Sequence, residues 1–379
     1  MHLALAQARL STGAGAIAPV PRDAWREVLA SDPWATVYQT PEWIDAIGAA
    51  AGYSDVSRLY ELPDGRVAVL PLVRRTQRLT GLTTEASPPP YWGTGGLVAP
   101  GGVRPSDAEV VWADLLDQPA ARIRVRPDYR AAESWTQVRP PPVAATPQIV
   151  HVLDLDGGFE RVWSERFSSS TRRAVRKAEK AGLELECDSA GRLVDVCFEL
   201  YLRWLAGRAN DRGVPAPLVR WRNALEDSLG KYRAVAAALG EHCRVWVARR
   251  DGRPVAATIV LVWRDQAIYW RGYGDPELAP RTRANNLLQR AAIEDACSSG
   301  CRTYNMGESG GVASLMEFKK RHGARPHEFA EYTVERFPLA LVSSWRATLE
   351  QRLVRAFARG RVRQRPRARK APSERGPSQ

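Results

Sequence analysis

The chain has 379 residues, of which 44% are hydrophobic and 13 are tryptophan, so a wholly disordered protein is excluded. Its length exceeds the usual ~100–150 residues of one domain and predicts two or three. The net charge of +13 suggests a polyanionic partner such as nucleic acid. No apolar run reaches the ~20 residues of a transmembrane helix, and the five cysteines form no Cys-x-x-Cys pair. We therefore expect a protein of the reducing cytoplasm.

The first predicted elements are a helix and a hairpin. Thr40 suits an N-cap and Pro41 the first helical position, which predicts a helix as far as Ala51. The turn signal Pro-Asp-Gly at residues 63–65 then separates two extended stretches, Val56–Leu62 and Arg66–Val73.

A proline- and glycine-rich loop follows at residues 88–96. Its glycines would let a phosphate approach the backbone, but no helix start follows them, which favours a purely structural role. Arg122–Val125 is a predicted strand, and the prolines at residues 140–147 predict a linker.

The second half repeats the hairpin pattern. After an extended stretch at Gln148–Leu155 and a mostly helical region to about Leu239, the strands Cys243–Arg249 and Val255–Val262 flank a second Asp-Gly-Arg turn. In both hairpins the second strand is almost wholly apolar, as in strands buried on both faces. The repetition indicates two copies of one mixed α/β unit.

The remaining predicted elements alternate between strand and helix. A third strand covers Ala267–Gly272, a helix Arg283–Ser298, and a fourth strand Cys301–Met306. A glycine-rich loop leads from that strand into a helix at Val312–Arg321, and a last strand covers Glu328–Val334. The amides of such a loop can bind a developing oxyanion.

The C-terminal region carries most of the charge. Residues 339–359 predict an amphipathic helix with arginines on one face, and residues 360–379 an Arg-rich disordered tail. Residues 346–379 alone contribute a net charge of +9. The high overall charge therefore describes this extension more than the folded body.

These features together resemble the Fem-type (FemABX-like) branch of the GNAT superfamily. The resemblance rests on the aromatic strand Ile268–Gly272, the helix with Leu287 and Leu288, and Tyr304, Gly307 and the pair Phe318-Lys319 ahead of Gly323. It implies an α/β fold of two fused GNAT-like acyltransferase domains, each a mixed sheet flanked by helices. The implied domains are residues 1–147 and 148–338.

The family resemblance implies transfer of an acyl or aminoacyl group to an amine, with no metal and no bound cofactor. Lys319 matches the family's lysine and is predicted to act on the donor or the oxyanion. Tyr304 and Glu308 are predicted to handle a proton or contact the acceptor. The structural alternatives are a solvent-facing Lys319 and a packed Tyr304.

The donor is predicted to bind before the Leu287 helix. Coenzyme-A-binding GNAT enzymes have a glycine-rich turn there, whereas this chain has Ala284, Asn285 and Asn286. This departure disfavours ordinary acyl-CoA binding, although the side chains of Arg281 and Arg283 remain able to hold a phosphate. The predicted donor-binding residues are Arg281, Arg283, Asn285, Asn286 and Phe318.

A second set of basic residues is predicted to bind acceptor or phosphate. A helix capped by the hydroxyl residues at 168–171 places Arg173, Arg176, Lys177 and Lys180 on one face. Arg208 and Arg212 form a further candidate pair. An ordinary solvated face explains the first cluster about as well.

Three functions follow from these observations. The first is aminoacyl transfer from aminoacyl-tRNA, which the unusual donor turn slightly favours; the second uses acyl-CoA and an amine on a sugar or envelope precursor. The third is a non-catalytic protein that binds RNA or an anionic membrane surface through the basic C-terminal helix.

Overall fold

The computed structural model describes residues 16–211, residue 219 and residues 227–336. Arg212, the predicted amphipathic helix at 339–359 and the predicted tail at 360–379 lie outside the described residues. Within the described part, no helix has the length and apolar character needed to cross a membrane.

Thirteen strands are present in the described ranges, eleven of them in one mixed sheet ordered β1-β4-β5-β6-β13-β7-β12-β11-β10-β9-β8. β2 and β3 form a separate hairpin. The strands are β1 (Ser54–Asp55), β2 (Arg58–Glu61), β3 (Val67–Leu70), β4 (Val73–Thr76), β5 (Thr83–Ser87), β6 (Arg122–Val125), β7 (Ala144–Asp154), β8 (Glu184–Asp188), β9 (Cys243–Arg250), β10 (Arg253–Trp263), β11 (Gln266–Gly274), β12 (Thr303–Glu308) and β13 (Arg325–Glu335).

Helices flank the sheet, which confirms the predicted mixed α/β architecture. They are α1 (Arg22–Ser31), α2 (Pro41–Ala51), α3 (Pro105–Asp117), α4 (Ala132–Gln137), α5 (Gly158–Arg161), α6 (Ser169–Glu179), α7 (Val194–Asp211), α8 (Leu229–Leu239), α9 (Leu278–Thr282), α10 (Ala284–Ser298) and α11 (Ala313–Arg321). Short 3-10 or π turns complete some of them.

Local sequence signals explain several of these boundaries. The Thr40 hydroxyl accepts a hydrogen bond from the Trp43 amide, 3.2 Å away, and so caps α2 as predicted. Asp251 and Gly252 both take left-handed conformations, with φ of 51° and 72°, which suits the tight turn between β9 and β10.

Three predicted elements differ from the structure. The single strand expected over residues 66–73 is split at Pro71, which has no amide hydrogen to donate to a ladder, so β3 and β4 belong to different sheets. β8 was not predicted, because its mostly exposed edge position removes the apolar pattern. The expected linker is wrong from Ala144 onward, since Ala144 to Pro147 pair with β13.

The two predicted halves are joined within one sheet. β13 pairs with β6 of the first half along one edge and with β7 along the other. The predicted boundary between residues 147 and 148 therefore lies inside β7. The hydrophobic core is also shared, because the ring of Trp43 lies 5.8 Å from that of Trp270.

Each half contains one pair of parallel neighbouring strands. In the second half, β11 and β12 pair only from Gln266 to Ile268, and β11 then continues to Gly274 paired with β10 but not with β12. A bulge against β10 leaves Trp270 without an opposite residue and bends β11 at this point. The two strands therefore diverge and open a cleft between them.

In the first half, the space beyond the parallel pair β5 and β6 is filled. The Gly95 amide donates to the Arg126 carbonyl at 2.7 Å, and the Gly96 amide donates to the Ser87 hydroxyl at 3.0 Å. A Cβ on Gly95 would lie 2.8 Å from the Ser87 carbonyl carbon. The glycines thus permit close packing, which agrees with the structural role favoured by the sequence.

Candidate active site

The cleft between β11 and β12 encloses about 650 Å³ and is bordered by the start of α10 and by α11. Its lining mixes aromatic and aliphatic side chains with a few charged ones. Those relevant to chemistry are Arg208, Tyr269, Arg271, Asp275, Asn285, Gln289, Glu308, Val312, Leu315, Phe318 and Lys319.

Lys319 lies inside this cleft wall rather than in solvent, with only 1% of its surface exposed. Its Nζ donates to the main-chain oxygens of Gly307 at 2.8 Å and Glu308 at 2.7 Å, at the end of β12. Burial lowers the pKa of the ammonium to about 8, although the charge of Glu308 opposes that shift. The solvent-facing alternative for Lys319 is therefore wrong.

Glu308 is held by a residue from the first half. Its carboxylate accepts a hydrogen bond from Arg126, which follows β6 directly and is 182 positions away in the chain. Sequence reasoning missed Arg126. The available signal was the alternation of Arg122, Arg124 and Arg126 along a predicted strand, which places three cations on one face.

Tyr304 lies beneath the cleft. It is fully buried, its hydroxyl donates to Oε1 of Gln289 at 3.1 Å, and burial raises its pKa well above 10.0. Gln289 borders the cleft and Tyr304 does not. This placement supports the packed alternative more than the predicted part in proton handling.

A second cavity of about 590 Å³, which we call the basic groove, lies between α6, the start of α10 and α11. Ser314 and Phe318 line both the groove and the cleft, so the two cavities adjoin. The groove is lined by Ser170, Thr171, Arg173, Ala174, Lys177, Arg283, Asn286, Ser314, Glu317, Phe318, Arg321 and His322.

The basic groove brings together two sets of residues that the sequence assigned to different substrates. Arg173 and Lys177, predicted for acceptor or phosphate, face the same space as Arg283 and Asn286, predicted for the donor. Arg176 and Arg281 are exposed and line neither cavity, whereas Asn285 and Arg208 line the cleft. The guanidinium of Arg208 lies 4.8 Å from the Trp204 ring.

The groove is electropositive. Arg321 forms an ion pair with Glu317 at 2.7 Å, but Arg173, Lys177 and Arg283 have no carboxylate partner in the described part of the chain. The first turn of α10, a helix of 15 residues, adds backbone amides without intrahelical partners. Together these groups can bind a phosphate.

α6 and α11, two of the elements that border the groove, are tied together near His322. The Ser168 amide and the Thr171 hydroxyl both donate to the Arg321 carbonyl at 2.9 Å. Nδ1 of the buried His322 donates to the Phe318 carbonyl at 2.7 Å. Burial lowers the pKa of His322 to about 4, so its imidazole is neutral near pH 7.

A buried ionic cluster anchors the first half beside the cleft. Asp227 pairs with Arg271 at 2.9 Å and with Lys231 at 2.8 Å. Both cations also donate to the Tyr91 carbonyl in the proline-rich loop, at 3.0 and 2.9 Å. Burial opposes ionisation, but Arg271 and Lys231 hold the pKa of Asp227 below its usual value. Lys231 is only four positions from Asp227, but Arg271 is 44 positions away and Tyr91 belongs to the first half, so sequence reasoning did not identify this cluster.

Comparison with known proteins agrees with this geometry. Residues 165–320 match the family described as acetyltransferase (GNAT) domain. The crystal structure of FemX superposes with a TM-score of 0.62 at 13% identity, covering 86% of this chain and 98% of FemX. A conserved protein of unknown function from Bacteroides thetaiotaomicron superposes with a TM-score of 0.51 at 9% identity, covering 83% and 97%. No curated protein matches the chain by sequence.

Proposed function

We propose that this chain, which carries a GNAT acyltransferase domain within a Fem-type fold, joins an acyl or aminoacyl group to an amine and so forms an amide. The observation that carries the proposal is the junction of two cavities. A basic groove able to hold phosphate opens directly beside a cleft that contains a buried lysine. Such an arrangement suits a donor with a phosphate-bearing part and an acyl part.

The proposed reaction is attack of a neutral amine on the donor carbonyl. A C–N bond forms, the C–S or C–O bond to the carrier breaks, and one amine proton ends on the departing thiolate or alkoxide. Lys319 uses its ammonium to hold the end of β12 and places positive charge where the oxyanion develops. The Glu308 carboxylate, at the same strand end, accepts the amine proton on its way to the leaving group.

The donor's phosphates are proposed to bind Arg173, Lys177 and Arg283 above the first turn of α10. Both candidate donors, aminoacyl-tRNA and acyl-CoA, supply such phosphates. Ala284 and Asn285 stand where coenzyme-A-binding GNAT enzymes have glycines, so the backbone is less accessible to a phosphate. This favours a donor held by side chains, as an aminoacyl-tRNA would be.

One observation favours acyl-CoA as a second candidate. The carboxylates lining the described cleft belong to Asp275 and Glu308, and both have partners. Asp275 accepts hydrogen bonds from two backbone amides at 3.1 Å and from Arg253 at 3.2 Å, and Glu308 pairs with Arg126. The α-ammonium of an aminoacyl ester would therefore find no unpaired carboxylate there, whereas an uncharged acyl group needs none.

The acceptor is proposed to enter beside Arg208 and Trp204. An arginine placed over the ring of a half-buried tryptophan suits a sugar or envelope precursor that carries an anionic group next to its amine.

The test offers the purified protein labelled aminoacyl-tRNA and labelled acetyl-CoA in separate reactions with a panel of amines. The donor whose label appears in an amide product is the substrate. If neither donor is consumed, the enzymatic proposal is contradicted and the non-catalytic binding function is favoured. Arg173→Glu and Arg176→Glu form a matched pair, since both invert a charge on α6 but only Arg173 lines the groove. We expect Arg173→Glu to raise the donor KM at least tenfold and Arg176→Glu to change it less than threefold, whichever donor is used.

A further inference from the structure

Arg126 stands at the place in the first half that corresponds to the cleft of the second half. It follows β6, one of the two parallel strands, and its backbone is held on both sides. The Arg126 amide donates to the Ser87 carbonyl at 2.9 Å, and its carbonyl accepts from the Gly95 amide at 2.7 Å. Because the Gly95 loop fills this space, the strand end is rigid and has no room for a donor.

The Arg126 side chain is directed across the seam between the halves. Only 12% of it is exposed, its guanidinium lies 5.7 Å from the Phe329 ring, and its Nε is 3.8 Å from a Glu331 oxygen. Between these neighbours a terminal nitrogen of the guanidinium meets the carboxylate of Glu308. The first half thus contributes a fixed cation to the cleft of the second.

Glu308 follows an irregular stretch of β12 and pairs with Val150 at the end of the ladder. The register of β12 against β7 shifts between Asn305 and Glu308. The main-chain oxygen of Glu308 is held by Lys319, and its side chain, 30% exposed, is held by Arg126. Without Arg126 the carboxylate would be free to change rotamer toward solvent.

We propose that Arg126 is a positioning residue: it sets the orientation in which the Glu308 carboxylate meets the acceptor amine, so the first half completes the site of the second. This inference rests on the proposed function, in which Glu308 accepts the amine proton. It goes beyond that function by assigning the first half a part in turnover.

The test compares Arg126→Gln with Arg124→Gln in the full chain. Arg124 makes an equivalent ion pair with Glu331 at 2.5 Å on the same strand face, but neither partner lines the cleft. We expect Arg126→Gln to lower kcat 10- to 100-fold while the donor KM changes less than threefold. Arg124→Gln should leave kcat within twofold, and thermal unfolding shows whether the two variants lose comparable stability.

Two further measurements separate positioning from a structural role. Arg126→Lys, which keeps the charge, should recover at least part of kcat. The double variant Arg126→Gln/Glu308→Gln should be no slower than Glu308→Gln alone, because Arg126 acts only through Glu308. Equal losses of kcat in Arg126→Gln and Arg124→Gln, or additive losses in the double variant, would overturn the inference while leaving the acyltransferase proposal intact. Absence of turnover by the unmodified protein would instead overturn both.

Discussion

Replacing Lys319 with methionine tests whether its burial serves chemistry or merely the fold. The pKa of the ammonium falls from 10.5 to about 8, and a tenfold change in an acid constant corresponds to about 1.4 kcal/mol. The charged form therefore costs about 3 kcal/mol at this position relative to water. Methionine removes that cost and nearly preserves the side-chain length.

The substitution also removes two hydrogen bonds. The carbonyls of Gly307 and Glu308 would each lose a donor, at a cost of about 1–3 kcal/mol per group. Because the two effects oppose each other, we expect Lys319→Met to change the free energy of unfolding by no more than about 3 kcal/mol. Urea unfolding followed by tryptophan fluorescence measures this change.

Activity should respond quite differently from stability. Loss of the positive charge near the oxyanion is expected to lower kcat by about 10²–10³, as for removal of one oxyanion donor. In the unmodified protein the lysine is protonated below its pKa, so the rate should fall as pH rises through about 8. In Lys319→Met this decline should be absent.

The opposite pattern would refute the reasoning. If Lys319→Met lost more than about 4 kcal/mol of stability but kept its kcat, the ammonium would serve only to hold the end of β12. A rise in rate through pH 8 that is absent from Lys319→Met would show that the neutral form of Lys319 is the active one, whereas a rise common to both proteins would report deprotonation of the acceptor amine.

Three other residues give separate predictions. The pKa of His322 is lowered from 6.5 to about 4, so as pH falls its imidazole binds a proton in the unfolded chain before it does so in the folded one. The folded protein therefore loses stability as pH falls from 6.5 toward 4. His322→Gln should remove up to about 3 kcal/mol of this loss, as measured by urea unfolding at pH 7 and 4.5. Tyr304→Phe removes one buried hydrogen bond to Gln289 and should lower the free energy of unfolding by about 1 kcal/mol while kcat changes less than threefold. A hundredfold fall in kcat would instead support the predicted role of Tyr304 in proton handling. Arg208→Ala should raise the acceptor KM about five- to tenfold and leave the donor KM unchanged, as measured by steady-state kinetics with each substrate varied in turn. A rise in the donor KM alone would contradict this assignment.

The sequence by itself determined the local elements of this protein. The second Asp-Gly turn, the Thr40 cap and the apolar strand β10 depend on neighbouring residues alone, and the structure confirms each of them. The predicted resemblance rests on such elements and their order; residues 165–320 match the GNAT domain it implies, and the fold is similar to that of FemX.

Only the tertiary structure decided which charged residues meet. Lys319, Lys320 and Arg321 are three consecutive cations, and the rotation of α11 against the sheet places Lys319 inside while the other two are exposed. The ion pair between Arg126 and Glu308 depends on β13 joining the two halves in one sheet. A pairing of strands far apart in sequence leaves no periodic trace in either segment, so no local pattern could reveal it.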